Sequence, residues 1–362
     1  MVAWFATKGS GTNDARRMEM LLEDVPDRVE WPFDKRGKLS SFRVLLHRIR
    51  TERPTLLIME GTGIAGGLAC LLGRILWQVP YLVSSGDAVG PFMRTHRPLL
   101  GLPFEVYERL LCRLSSGFIG WTPYLCGRAL TFGAPRAVTA PGWVLPAANP
   151  NAPTRQAMRE RWGIPQDHLV VGIVGSLEWN SHRGYSYGWD LVQAIHRLKR
   201  TDVSVLIIGE GSGLARLRHA AGSLLGVRIF LPGAIPASEV LPALAAMDVA
   251  SLPQSMDGVG MFRYTTKLCE YALARLPVIT NQIPAAYDLD CGWMWRVPGA
   301  SPWAERYLMG LVDLLERLTP QEIAERREAI PKGMPEFDPE PQRRRVTAFV
   351  RDILECSESK LA

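Results

Sequence analysis

The stretch RYTTKLCEYALARLPVIT, Arg263 to Thr280, runs from a polar triplet through an amphipathic segment to a β-branched run after Pro277. Thr265 has the side chain of a helix N-cap, which puts Thr266, Lys267 and Leu268 in the first turn of a helix. Glu270 follows about one turn after Thr266 and points the same way. Just upstream, VASLPQ predicts a strand, and SMDGVGMFRY predicts a loop carrying Gly258 and Gly260. Strand, loop, helix and strand in that order make a parallel α/β unit. The lysine is conspicuous because the chain has only seven, and none other lies between Lys199 and Lys332. Exposed amides plus a lysine at a helix start can hold a diphosphate, and Glu270 can accept hydrogen bonds from ribose hydroxyls. Spacing alone equally allows Glu270 simply to balance Lys267.

The same alternation extends in both directions. VAWFA, TLLIM, PYLVS and GFIGW predict strands in the first half; LVVGIVG, VSVLIIG, VRIFLPG, VASLP and PVITN predict them in the second. Amphipathic runs such as DLVQAIHRLKR separate them, so parallel sheets covered on both faces are expected. The pattern stops at PGWVLPAANPNAP, which contains four prolines and reads as a linker. The expected organisation is two Rossmann-like, doubly wound parallel-sheet domains of an α/β protein, facing a central cleft. They would span 1–142 and 154–335, joined by a linker at 143–153. A helix within 336–362 would return to the first domain. Ligands of such sheets bind beyond the carboxyl ends of the strands.

A chain of 362 residues is long enough for two cores. With 47% hydrophobic and 22% charged residues it is a globular composition. GLACLLGRILWQVPYLV is broken by Arg74, Gln78 and Pro80 and makes a poor membrane span. The start, MVAWFATKGSG, lacks the basic region of a signal peptide. Six scattered cysteines show neither CxxC nor metal-ligand spacing and read as reduced thiols in a cytoplasmic protein. Residues 1–145 hold 18 Lys/Arg against 12 Asp/Glu, which accounts for the whole net charge of +6. A basic first half suits an anionic partner. No basic run interleaved with stacking aromatics argues for nucleic acid.

Four glycine-bearing turns follow predicted strands: Gly9-Ser10-Gly11, Gly61 to Gly67, Gly175-Ser176, and Gly209 to Gly213. Each is a tight turn or a phosphate approach. Gly61, Gly63 and Gly66 satisfy G-x-G-x-x-G, with Asp87 after the next strand, so an NAD-dependent oxidoreductase is one alternative. Against it, that fingerprint belongs on the first strand of a sheet.

With these motifs in order, the sequence resembles the GT-B glycosyltransferases, specifically family 4, the retaining group dependent on nucleotide sugars. VVGIVGSL is similar to its first strand and phosphate loop, and YGWDLVQAI to its KGxDxLLxA helix. VSVLIIGEGSGLARLR and VRIFLPGAIPASEVLPALAAMDVASLPQ resemble the next two segments, and TTKLCEYALARLPVIT resembles PxKLxEYxAxGxPVI. The resemblance implies that Glu270 holds the donor ribose, and that Lys267 with the amides of Thr265 and Thr266 holds the diphosphate. It implies that Gly175 and Ser176 form the phosphate loop and that Gly258 and Gly260 shape the sugar pocket. The nucleobase would meet the Pro232–Ile235 turn, and Gly9, Ser10 and Gly11 would face the donor phosphate or acceptor. Four positions depart from the pattern. Phe262 stands where a second glutamate is usual, and Tyr187 replaces a lysine, leaving Arg183 as the candidate cation. Arg275-Leu276 replaces the glycine before PVI. The N-domain histidine is missing, leaving Asp87 as the nearest polar group, with His96 in the loop beyond.

The implied reaction moves a sugar from a nucleoside-diphosphate sugar, the co-substrate, to a sugar or lipid-linked acceptor, with no metal and no other cofactor. Lys267, Arg183 and Asp87 are the candidate catalytic groups. Asp288 to Asp290 reads as a turn rather than a metal site. The helix in DKRGKLSSFRVLLHRIRTER puts Phe42, Leu45, Leu46 and Ile49 on one side. It suits peripheral contact with an anionic membrane, or burial in the first core. A hydrolase or epimerase on the same fold and a non-catalytic nucleotide-sugar-binding subunit are further alternatives.

Overall fold

The computed structural model describes residues 1–142 and 153–358. All but the last residue of the 143–153 segment therefore lies outside the described residues. Two compact units result: one holds 1–142, 262–264 and 335–358, the other 153–261 and 265–334.

In the first unit, β1 (Val2–Ala6), β2 (Arg28–Glu30), β3 (Leu56–Glu60), β4 (Tyr81–Ser85), β5 (Gly117–Gly120) and β6 (Ala137–Thr139) form a parallel sheet. Its order is β2-β1-β3-β4-β5-β6. Alternate residues of β1 face opposite cores, as the two-residue period of a strand requires. Val2, Trp4 and Ala6 pack with α1 (Asn13–Leu21) and with Val346, Val350 and Ile353 of the terminal helix Pro339–Glu358. Ala3 and Phe5 share a core with residues of α2 (Lys38–Glu52) and α3 (Ile64–Trp77). On α2, Leu45 and Ile49 are fully buried and Phe42 packs beside them, so its apolar side serves the core. That removes this side of α2 as a membrane contact. Strands β2 and β6 were not expected from the sequence. They are three-residue edge strands without an apolar run.

In the second unit the strands are β7 (Leu169–Val174), β8 (Val203–Ile208), β9 (Ile229–Gly233), β10 (Val249–Leu252), β11 (Val278–Asn281) and β12 (Met294–Val297). They pair in parallel in the order β12-β11-β10-β7-β8-β9. Strand order reverses between β7 and β10, so a crevice opens at their carboxyl ends. The corresponding reversal in the first unit lies between β1 and β3. Among the described residues no helix is long and apolar enough to cross a membrane.

Candidate functional site

The reversal in the second sheet brings together the loop after β7, the loop after β10 and the helix Thr266–Leu273. Gly175 ends β7. A Cβ there would lie 2.7 Å from Lys267 Cε and 3.0 Å from its Nζ, so glycine leaves the lysine side chain room to lie across this loop. The Lys267 ammonium stands 5.3 Å from the Tyr187 ring centroid, and Tyr187 Oη accepts a 3.2 Å hydrogen bond from Gln254 Nε2. The tyrosine that replaces a family lysine thus offers Lys267 a π face. Among the described residues Lys267 has no ion-pair partner. Ser176 is exposed beside Gly175, and Ile235 is half-buried after β9.

Thr265 is the N-cap residue of the helix, yet its hydroxyl makes no capping bond and is buried without a hydrogen-bond partner. A buried hydroxyl in that state is costly, and it sits beside the free amides of a helix start. Glu270, one turn on, has no side-chain hydrogen bond among the described residues. Burial pushes its carboxyl above the ordinary range, against the pull of Lys267. An unbonded carboxylate and an unpaired ammonium therefore flank one helix end.

Arg183 is already engaged: it forms a 2.9 Å ion pair with Asp257 and lies 4.6 Å over the Trp303 ring. Asp257 organises the loop after β10, because its Oδ1 accepts from the amides of Val259 (2.9 Å) and Gly260 (3.1 Å). Burial raises its pKa, but those amides, the Ser255 hydroxyl and Arg183 together hold it below the usual value. Gly258 lies in the turn so formed. Gly260 is needed because a Cβ would meet the Ser255 carbonyl oxygen at 2.0 Å. Asp290 is likewise spent on a turn, accepting from the amides of Gly292, Trp293 and Met294 and pairing with Arg296.

In the first unit, Gly9 (φ +107°) and Gly11 (φ +74°) take left-handed conformations after β1. The Thr12 hydroxyl donates to Gly9 O at 2.7 Å and caps α1 through Ala15 N. Beside this loop lies a cavity of about 630 Å³ lined by Lys8, Gly9, Ser10, Lys35, Arg36 and Ser40, among others. Asp87 is bound by Arg263, whose Nε donates to Oδ1 at 2.8 Å. Gly61, Gly63 and Gly66 make room for β1 and the residue after it: a Cβ at each would lie 2.3, 2.9 and 2.7 Å from atoms of Thr7 or Phe5. Packing therefore accounts for all three glycines of the dinucleotide pattern.

Two buried groups went unnoticed in the sequence. Glu60, at the end of β3, pairs with Arg17 at 2.7 Å, both essentially inaccessible, and accepts from Trp121 Nε1. Burial raises the Glu60 pKa and Arg17 opposes it. An acid ending an apolar strand was the available signal; Arg17 on α1 offered none. Asp190 is 1% exposed, accepts from Tyr185 Oη at 3.0 Å, and has its other oxygen unbonded. Burial raises its pKa to about 7.

Residues 168–306 match the family described as glycosyl transferases group 1. That span is similar to a group 1 glycosyltransferase domain. The matched span contains β7 to β12 and every second-unit residue discussed above. Solved structures resemble the whole chain in fold. Anabaena HepE in complex with UDP matches with a TM-score of 0.68 and 14% identity, covering 97% of this chain and 99% of that one. WaaG, titled a glycosyltransferase involved in lipopolysaccharide biosynthesis, matches at 0.62 and 13%, covering 95% and 98%. A putative UDP-N-acetylglucosamine 2-epimerase from Listeria monocytogenes matches at 0.57 and 13%, covering 97% and 96%. At such identities the likeness shows the fold, the two-domain Rossmann-like architecture of GT-B. No curated protein matches.

Proposed function

We propose that this glycosyltransferase moves a sugar from a nucleoside-diphosphate sugar to an acceptor with retention of anomeric configuration, in the cytoplasm and in glycan, polysaccharide or glycoconjugate biosynthesis. The observation that carries the donor assignment is the helix start at Thr265. An orphaned buried hydroxyl, free amides and an unpaired Lys267 suit a diphosphate, and the unbonded Glu270 carboxylate suits the ribose diol. That the similar HepE fold was solved in complex with UDP supports a nucleotide ligand. Gly175 and Ser176 would line the diphosphate, and Ile235 the base.

In the proposed step the bond from the anomeric carbon to the diphosphate oxygen breaks, and a bond to the acceptor oxygen forms on the same face. The acceptor's proton passes to the departing diphosphate, so no carboxylate nucleophile is required. Lys267 and the helix-start amides stabilise the charge growing on the leaving group without a metal. Arg183 and Asp87 then act less directly. Arg183 orders the loop after β10 through Asp257, and Asp87 orders residues 262–264 through Arg263. The acceptor, a sugar or a lipid-linked sugar, is assigned to the first-unit cavity beside Gly9, Ser10 and Gly11, where Lys8, Lys35 and Arg36 favour an anionic group.

The test is a thermal-shift panel of nucleoside diphosphates and NAD, followed by NMR of the product anomer with the stabilising donor. Stabilisation by one nucleoside diphosphate and an α-to-α or β-to-β product is expected. Stabilisation by NAD alone, or an inverted product, overturns the proposal. Release or epimerisation of the sugar with no acceptor present would favour the epimerase or hydrolase alternative. A nucleotide sugar that binds without turnover would favour a binding subunit.

A further inference from the structure

The helix Trp189–Arg197 buries an acid, Asp190, in its first turn, and among the described residues this acid has no ion-pair partner. The helix packs on β8, on Leu214–Ala221 and on Glu305–Arg317. β8 reads VSVLII and has no titratable side chain. Leu214–Ala221 buries Leu217 and Ala221 and leaves Arg216, Arg218 and His219 exposed. Glu305–Arg317 leaves Glu305 and Arg306 exposed and presents the buried phenol of Tyr307, which burial and the charge of Asp190 push well above the usual range. From the preceding segment Tyr185 donates to Asp190 Oδ1 at 3.0 Å. Asp190 Oδ2, Ser186 Oγ and Tyr307 Oη are all buried without a hydrogen-bond partner. An ionised carboxylate can only accept, whereas a protonated one also donates. Protonation therefore removes a buried charge, gives Oδ2 a hydrogen to offer, and leaves Oδ1 accepting from Tyr185.

Tyr185 links this acid to the donor site. Its backbone closes a turn with Asn180, whose amide donates to Tyr185 O at 2.9 Å and whose Oδ1 accepts from the amides of His182 and Arg183. The Tyr185 ring lies 5.4 Å from the Trp303 ring and 6.4 Å from the Tyr187 ring. Arg183 stands over the first of these rings and Lys267 over the second. The supports of both cations thus meet at the one side chain that bonds Asp190. Aromatic rings join the acid to these cations, so its charge is less screened there than a surface charge would be. We propose that binding of the diphosphate donor is coupled to proton uptake at Asp190, so that the donor site is tight when this acid is neutral and weaker when it is ionised. The sign follows from charge: the neutral acid keeps its bond to Tyr185, so the scaffold survives protonation, while an ionised acid opposes an anionic ligand. By reciprocity, a ligand that favours the protonated acid binds more tightly where that form prevails. The proposal rests on the donor assignment above and adds a pH response to it.

The experiment is calorimetry of the full chain with UDP-glucose, a ligand found in a complex of the similar HepE fold. Its diphosphate has no group that titrates near neutrality. Affinity is measured from about pH 5.5 to about pH 8.5, in buffers of different ionisation enthalpy, and should fall about fivefold across that window. The buffer series should show net proton uptake on binding near pH 7. Asp190→Asn is neutral throughout, so its affinity should stay at the wild-type acid value and its proton uptake should vanish. Tyr185→Phe keeps the ring and removes a bond that favours the ionised acid, so the fall in affinity should move to higher pH. This second variant tests the coupling even where Asp190→Asn fails to fold. Glu270, also raised by burial, is the rival source of such a response. A pH dependence that survives in Asp190→Asn, or that Tyr185→Phe leaves in place, overturns the proposal, as does binding without proton uptake. Binding with no pH dependence sinks this coupling alone, whereas no binding at any pH counts against the donor assignment and removes the coupling with it.

Discussion

Replacing Glu270 by glutamine should make the free protein more stable and the nucleotide complex weaker. In the free protein the carboxylate is largely buried, has no hydrogen bond among the described residues, and has its pKa raised by burial. A raised folded-state pKa means that this group favours folding below its unfolded value and that the benefit is lost as pH rises through its folded value. At neutral pH the full penalty of holding the charge is present, and the neutral amide removes it. The gain in melting temperature should therefore appear near neutrality and vanish in acid, where the wild-type carboxyl is protonated. In the complex, two ribose hydroxyls donating to a carboxylate would contribute about 1.5–3 kcal/mol each. Glutamine keeps one neutral acceptor, so a net loss of about 3 kcal/mol, or about a hundredfold in Kd, is expected. Melting curves across pH, with and without the stabilising nucleoside diphosphate, measure both effects. If the variant is less stable at neutral pH and keeps its nucleotide affinity, Glu270 serves to hold Lys267 and the donor assignment is wrong.

Three further outcomes follow from contacts in the second unit. Gly175→Ala puts a methyl 2.7 Å from Lys267 Cε. The flexible lysine can move away, so stability by urea titration should fall by less than about 1 kcal/mol, whereas nucleotide affinity by calorimetry should fall about tenfold. Arg275 adopts φ +56° and donates to the carbonyls of Ile330 and Arg327. Arg275→Ala keeps the left-handed strain and loses both bonds, while Arg275→Gly loses the bonds and relieves the strain. The alanine variant should thus be less stable than the glycine variant by about 1 kcal/mol in urea titrations. Asp190, raised to about 7 by burial, makes the fold lose stability between the ordinary aspartate range, about 4, and pH 7. Asp190→Asn should flatten that slope, worth up to about 4 kcal/mol, in denaturation curves taken across the window.

The strands that sequence revealed are those whose both faces are buried, because a run such as VSVLII must be apolar at every position. The two edge strands of the first sheet escaped the same logic. β2 reads RVE and is exposed throughout, so only its backbone pairing with β1 defines it. The placement of Lys267 and Glu270 at a helix start was legible because the N-cap, the helix and the following strand are local features. The partners of Arg183 and Asp87 were not legible: Asp257 lies 74 residues from Arg183, and Arg263 lies 176 residues from Asp87. The Arg17–Glu60 pair was hidden for the same reason, and because an arginine among the charges of α1 looks solvated. The G-x-G-x-x-G pattern misled in the opposite direction. Its glycines answer to steric contact with Phe5 of β1 and with Thr7 just after it, and no pattern in one dimension separates a glycine that admits a phosphate from one that admits a neighbouring segment.

The departures from the family pattern bear on whether this is an enzyme or a binding protein, and they are unequal. Arg275 replaces a glycine yet keeps glycine's left-handed backbone, so the turn into β11 survives the change. Tyr187 replaces a cation but places its ring beside Lys267, so the diphosphate end keeps an ordered ammonium. Neither change removes a group that the proposed displacement requires. Phe262 is different. Its carbonyl accepts from Thr122, its ring lies 5.5 Å from the Arg128 guanidinium, and it packs on the first-unit core. A carboxylate that could bind sugar hydroxyls is therefore absent there, and its space is occupied by structural contacts. In the proposed mechanism the change would remove a contact to the transferred sugar and leave untouched Lys267 and the helix start assigned to the leaving group. Retaining transfer as proposed depends on stabilising the departing diphosphate, so these substitutions argue for an active transferase that takes most of its donor affinity from the nucleotide.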